Sequence, residues 1–191
     1  METVLKKIAS IQMGYPFRGR LKVDASGNLY VLQMKDIDEN SRLNTGDLTP
    51  VTLTDIKDIH RIEKGDLIFR SRGRVNTAAL VEEELSGVVA AAPLFRIRPD
   101  TNKVLPAYLA WYINQPKAQV YFERQASGTI TRMIHKKALA EMKIELPSLD
   151  RQKQVVTIAR LAAREQELIR LLAEKKKSYI NGILIKFATK R

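Results

Sequence analysis

The last stretch of the chain, "DRQKQVVTIARLAAREQELIRLLAEKKKSYINGILIKFATKR" from Asp150, contains no proline and a single glycine, Gly182. Val155, Ile158, Leu161, Ala162, Leu168, Ile169 and Leu172 recur at three- and four-residue steps. That period predicts an amphipathic α-helix, with Asp150 as its N-cap. Tyr179, Ile180, Ile183, Leu184 and Phe187 continue the stripe across Gly182. From Gln152 to Phe187 such a helix is roughly 50 Å long, more than a chain of 191 residues usually buries. One apolar face is therefore expected to wait for another helix, with the seven residues from Val155 to Leu172 as the dimerisation surface. The competing reading is a helix packed back on its own domain. The heptad is imperfect: Glu165 and either Lys175 or Lys176 fall at core positions, where they set register or partner choice at some cost in stability.

Residues 1–149 have a different grammar and are expected to form a separate domain. Short strand-like runs recur: "LYVLQM" (29–34), "DLIFRS" (66–71), "TAALV" (77–81), "GVVAAAPLFRIRP" (87–99) and "MKIELP" (142–147). The turn signals "SGN", "NTGD", "EKGD" and "LSG" punctuate them. "LPAYLAWYINQPKAQVYFERQA" (105–126) breaks the pattern as a helix that starts at Pro106 and is interrupted or kinked at Pro116. The fold class is α+β: a mostly β domain followed by a long C-terminal helix over 150–191 suited to coiled-coil pairing.

Composition narrows the functional classes. With no cysteine, there is no disulfide framework and no thiolate metal site. His60 and His135 lie far apart in sequence, which disfavours a zinc site or a histidine pair, so no metal or cofactor is expected. The longest apolar run, "VVAAAPLF", is too short for a bilayer span of roughly 20 residues, and "METVLKKIAS" lacks a secretory core. A cytoplasmic location with no membrane partner is the expectation. The net charge of +12 points to a polyanion, but weakly. Residues 151–191 hold eleven Lys and Arg against three Asp and Glu, and a basic solvated helix explains much of that excess.

Local clusters carry more. In "GDLIFRSRGRV" (65–75), Arg70, Arg72 and Arg74 alternate with Ser71 and Gly73. An extended chain would place all three guanidinium groups on one face, where a polyanion offsets their repulsion. The bland alternative is a solvated strand face balanced by Glu82, Glu83 and Glu84. "SGTITRMIHKK" (127–137) and "GYPFRGR" (14–20) combine glycines with hydroxyls or cations.

These motifs in sequence order resemble the specificity subunit of type I restriction–modification enzymes. "GDLIFRSRGRV", "GVVAAAPLFRIRPD", "LPAYLAWYIN", "ASGTITRMIHKKAL", "KIELPSLDRQKQVV" and the long helix cover nearly the whole chain. Each is weak alone; six in order are specific. The resemblance implies a target recognition domain and a spacer helix, with double-stranded DNA and DNA methyltransferase subunits as partners and a restriction/translocase subunit as a further one. The family's usual subunit has two recognition domains and two long helices, whereas this sequence has one of each and no internal repeat. It therefore resembles a half-subunit, expected to pair as a homodimer on a bipartite palindromic site in phage defence. The DNA-contacting candidates are Arg18, Arg20, Arg70, Arg72, Arg74, Asn76, Thr129, Thr131, Arg132, Lys136 and Lys137. No catalytic residue is assigned.

Other readings stay open. The chain could serve another DNA-modification or phage-defence system, or exchange halves with a full specificity subunit. Pro99-Asp100 with Glu141-Met142-Lys143 matches a loose nuclease pattern, in which two carboxylates would hold Mg²⁺. Decoration of a turn and a closing strand explains those residues better. No phosphate-binding "GxxxxGK[ST]" or methyltransferase motif occurs.

Overall fold

A computed structural model describes residues 1–54, 56–73, 75–128 and 132–189. The chain divides into two units, Met1–Gln152 and Lys153–Arg191. Nine strands occur among the described residues: β1 (Glu2–Val4), β2 (Ala9–Met13), β3 (Leu29–Leu32), β4 (Thr49–Val51), β5 (Leu67–Arg70), β6 (Ala78–Leu80), β7 (Val88–Ala90), β8 (Leu94–Pro99) and β9 (Lys143–Glu145). The helices are α1 (Pro106–Ile113), α2 (Pro116–Gln125), α3 (Lys136–Ala140) and α4 (Leu149–Thr189). Among the described residues no helix is long and apolar enough to cross a membrane.

The main sheet is antiparallel in the order β2-β8-β5-β6, with Ile11 opposite Ile97, Phe69 opposite Phe95 and Ile68 opposite Ala79. A second sheet, β4-β3-β7, pairs β3 and β7 in parallel. β1 and β9 form a two-stranded antiparallel ribbon. The run "GVVAAAPLFRIRP" is therefore two strands in two sheets, separated by a turn with a cis Ala92–Pro93 peptide. Its unbroken apolar character has a simple cause. Val88 and Ala90 enter one core cluster with Leu32, Ile68 and Leu94, while Val89 and Ala91 enter another with Leu29, Val31 and Val51. A strand buried on both faces shows no alternation.

Edge β6 is closed by a side chain. Asn114, at the C-terminal end of α1, accepts from the Ala78 N–H and donates to the Ala78 C=O, both at 2.9 Å. It thereby fills the hydrogen-bonding edge that another strand would otherwise use. Pro106 opens α1, as the sequence predicts, and the break expected at Pro116 separates α1 from a second helix, α2, that Pro116 opens.

The Gly-Asp-Leu turn is held by charge. The Asp66 carboxylate, 1% exposed, receives Arg98 in a two-point contact (2.7 and 2.9 Å) and also accepts from the Glu63 N–H at 2.8 Å. The hydrogen bond to Asp66 raises the Arg98 pKa further. Burial, and then Arg98 itself, lower that of neighbouring Arg96.

Helix α4 begins at Leu149, one residue before the expected start. Ser148 takes the cap position, its Oγ facing the Arg151 N–H at 3.4 Å, and Asp150 lies in the first turn instead. There its charge still complements the helix dipole. Gln152 is fully buried: its Oε1 accepts from the Leu105 N–H (2.8 Å), and its Nε2 donates to the carbonyls of Pro147 (2.9 Å) and Lys103 (3.2 Å). These three bonds explain a glutamine at the helix start. Gln152→Leu should lower the unfolding free energy of residues 1–152 by about 2–3 kcal/mol through orphaned backbone groups. Urea denaturation checks this; an unchanged midpoint would show the network to be dispensable.

Candidate nucleic-acid interface

One end of the main sheet gathers several of the basic segments. β2 ends with Met13 opposite Phe95, and the Gly14 N–H then donates to the Leu94 C=O at 2.8 Å. β5 ends with Arg70 opposite Leu94, where β8 begins. Segments 14–22, 71–77 and 91–93 therefore leave the same sheet end. Gly14 is required there, because a Cβ would come within 2.6 Å of the Ala91 backbone. A fourth segment joins them: the Ile134 N–H donates to the Ser71 C=O (2.9 Å), and Arg72 bridges Met133. Ser71, fully buried, donates through Oγ to the Pro93 C=O.

Ser127 and Met133 are tied to each other across the stretch between them. They exchange backbone hydrogen bonds of 3.2 and 3.0 Å, and Ser127 Oγ lies 2.8 Å from His135 Nε2. Arg132 is exposed directly before Met133, and Lys136 and Lys137 are exposed just beyond it. Arg72 is exposed as well, its Nε 3.2 Å from Met133 Sδ. Two segments 60 residues apart in sequence, one holding Arg72 and the other Arg132, thus become neighbours.

The expectation of three arginines on one face is corrected. The extended chain ends at Arg70, and Gly73 has φ +117°, a turn that breaks period two. Arg70 points inward, its guanidinium donating to the backbone carbonyls of Met34 (3.0 Å) and Ile37. Asn76 is also internal: its Nδ2 donates to the Arg70 C=O, and its own carbonyl accepts from Gln119, both at 3.0 Å. Arg70 and Asn76 therefore build the loop's framework rather than its exposed surface. Arg74, Thr129 and Thr131 lie outside the described residues.

Arg18 and Arg20 are exposed on the 14–22 segment and line a cleft of about 640 Å³. The fold adds Lys22 and Lys57 to its lining, and no acidic side chain is among the described lining residues. Tyr15 packs edge-on against Phe17 and His60, with centroids 4.8 and 5.4 Å apart. Lys22 continues a run that is visible in sequence. Lys57 had no local signal, since only folding brings it to the cleft.

The nuclease pattern does not assemble. Asp100 pairs with Lys103 (2.9 Å), Glu141 with Lys6 (2.6 Å) and Lys143 with Glu2 (3.4 Å). Each charge takes a separate partner, so the carboxylates do not converge as ligands of one ion.

On α4, Ile158, Leu161, Leu168, Ile169 and Leu172 are exposed, as is Ala162, while Val155 is half-buried.

Residues 6–178 match the family described as the type I restriction modification DNA specificity domain. The chain belongs to this family. A Methanocaldococcus jannaschii protein, described as a type I restriction enzyme MjaX specificity subunit, is 28% identical over 103 residues, 52% of this chain and 24% of the relative. Among solved structures, the S subunit of a Mycoplasma type I system (M. genitalium) superposes with TM-score 0.58 at 14% identity, covering 93% of this chain and 42% of that one. The HsdS subunit of Thermoanaerobacter tengcongensis gives 0.63 at 17% identity, covering 86% and 37%. A structure concerned with assembly and conformational transition of a type I R-M system gives 0.66 at 18%, covering 93% and 42%. These likenesses establish the specificity-domain fold. The chain spans under half the length of each of these proteins.

The geometry separates two arginines that look equivalent in sequence. Arg70→Ala should cost about 2–3 kcal/mol of stability by stranding buried carbonyls, whereas Arg72→Ala should stay within about 0.5 kcal/mol. Thermal or urea unfolding of both variants checks the contrast, and equal effects would contradict it.

Proposed function

We propose that this chain is a sequence-recognition subunit of a type I restriction–modification enzyme, binding double-stranded DNA through the loops at one end of its main sheet. The observation that carries the reading is the meeting of Arg72 with Met133, itself tied to Ser127, with exposed Arg132, Lys136 and Lys137 beside it. Short loops on a rigid sheet suit recognition, because the scaffold holds donors in place before DNA arrives. Arginine can serve a phosphate or the O6/N7 edge of guanine. Thr129, Thr131 and Arg74 belong to the same segments and are proposed as further contacts. Arg18 and Arg20 extend the cationic surface through the cleft.

The chemistry belongs to partners. DNA methyltransferase subunits would be placed on the site by this chain, and a restriction subunit would join where the system includes one. Two copies would pair through α4 and read a two-part site. Forty-one helical residues extend about 60 Å, enough to bridge half-sites one DNA turn, about 34–36 Å, apart.

Fluorescence anisotropy with duplex DNA across a salt series tests the reading. Arg72→Ala and Arg132→Ala should each either reduce the log–log salt slope by about 1, as a phosphate contact does, or relax one base position of the bound sequence. Wild-type protein that fails to bind duplex DNA at low salt would overturn the proposal. Variants matching wild type in both respects would remove these loops from the interface.

A further inference from the structure

The cleft of about 640 Å³ beside β4 has two kinds of wall. One is apolar. Phe17, Leu21 and Leu53 pack on the core cluster of Leu29, Val31, Val51 and Val89, and Ile59, 48% exposed, joins them in the lining. Tyr15 and His60 add aromatic rings, and His60 keeps a buried Nδ1 without a hydrogen-bond partner among the described residues. The other wall is Arg18, Arg20, Lys22 and Lys57, all exposed. None of these four has an ion-pair partner among the described residues. The described acids on the same segments are engaged elsewhere, Asp24 with Thr52 (2.6 Å) and Ser26 (2.7 Å), and Asp58 with Arg61 (3.2 Å).

Each segment that forms the cleft is fixed through its backbone. The Tyr15 N–H donates to the Ala90 C=O (2.7 Å), and the Tyr15 C=O accepts from the Ala92 N–H (3.0 Å). Asn28 brackets Leu53, donating to its C=O at 3.0 Å and accepting from its N–H at 3.1 Å. Two residues past His60, the Ile62 N–H donates to the Val88 C=O (3.0 Å). Four cations are therefore held around one concavity against their mutual repulsion, which a bound anion relieves.

We propose that this cleft binds a nucleoside polyphosphate, its base against Phe17, Leu53 and Ile59 and its phosphates on Arg18, Arg20, Lys22 and Lys57. The ligand is distinct from the duplex proposed above, although both call on Arg18 and Arg20. Duplex DNA presents its phosphates outside and keeps its bases stacked within, so it would engage the cations and leave the apolar wall in water. A nucleotide with an unstacked base satisfies both walls, since any base can stack on aromatic or apolar side chains. Within a strand, each base comes with one phosphate charge. A nucleoside polyphosphate instead brings several charges to one point, which matches the cluster of cations. The volume agrees, because pockets for small ligands span about 300–1,000 Å³.

The test is isothermal titration calorimetry of the full chain with ATP and GTP, in EDTA so that Mg²⁺ does not neutralise the phosphates. The comparison probes are inorganic tripolyphosphate, adenosine, an oligothymidine strand and polyglutamate. Both nucleotides should bind about tenfold or more tightly than tripolyphosphate or adenosine, because only they use both walls. Phe17→Leu should remove that advantage and leave tripolyphosphate binding unchanged. The double variant Arg20→Ala/Lys57→Ala should weaken ATP binding about tenfold or more. Ile59→Ala, at an exposed side chain, reads the apolar wall a second time should Phe17→Leu fail to fold. Absence of nucleotide binding, tripolyphosphate binding as tightly as ATP, or nucleotide affinity indifferent to both apolar variants would overturn the proposal. So would stronger binding of oligothymidine or of polyglutamate than of ATP, the first giving the cleft to a DNA strand and the second to an acidic protein. Anisotropy with duplex DNA separates this inference from the recognition reading. A chain that binds ATP but not the duplex removes that reading alone, and the converse removes the nucleotide alone.

Discussion

The backbone of Leu94 is the point on which the sheet end that gathers the basic segments depends. Its carbonyl accepts from Gly14 as β2 ends, it stands opposite Arg70 as β5 ends, and its N–H donates to the Ala91 carbonyl in the turn that starts β8. Three chain segments therefore leave one place in fixed relation to each other. The 127–134 segment is tied to them through Ser71. Buried Asp66, gripped by Arg98, holds β5 to β8 from the opposite direction. A loop on such a frame can vary its exposed residues while the frame stays constant.

How much of this was legible in the sequence depends on how local the deciding interaction is. The long helix was visible because a three- and four-residue period is a property of the segment itself. The helix break at Pro116 was visible for the same reason. β1, β2 and β4 were missed; β1 and β4 are only three residues long, and β4 also carries Pro50, which a strand tolerates only at an edge. "GVVAAAPLFRIRP" read as one strand because burial on both faces erases the alternation that would have located its break. Asp150 was taken for the cap when Ser148, two residues earlier, holds that place.

The site divides in the same way. Arg72, Arg132, Lys136 and Lys137 were found by composition, and the structure leaves them exposed. Arg70 and Asn76 share that composition but face inward, because their partners lie far along the chain: Met34 and Ile37 for Arg70, Gln119 for Asn76. No local pattern encodes those acceptors. Lys57 was missed for the converse reason, since its place beside Arg18 and Arg20 exists only once the cleft has formed.

The central claim is that this chain chooses the DNA sequence on which partner enzymes act. Base-resolution methylation mapping of the host DNA, with and without the gene, tests it most directly. The account predicts that deletion abolishes methylation at one gapped, palindromic motif and leaves every other motif unchanged. An unaltered methylation map in a host whose type I methyltransferase is active would contradict it.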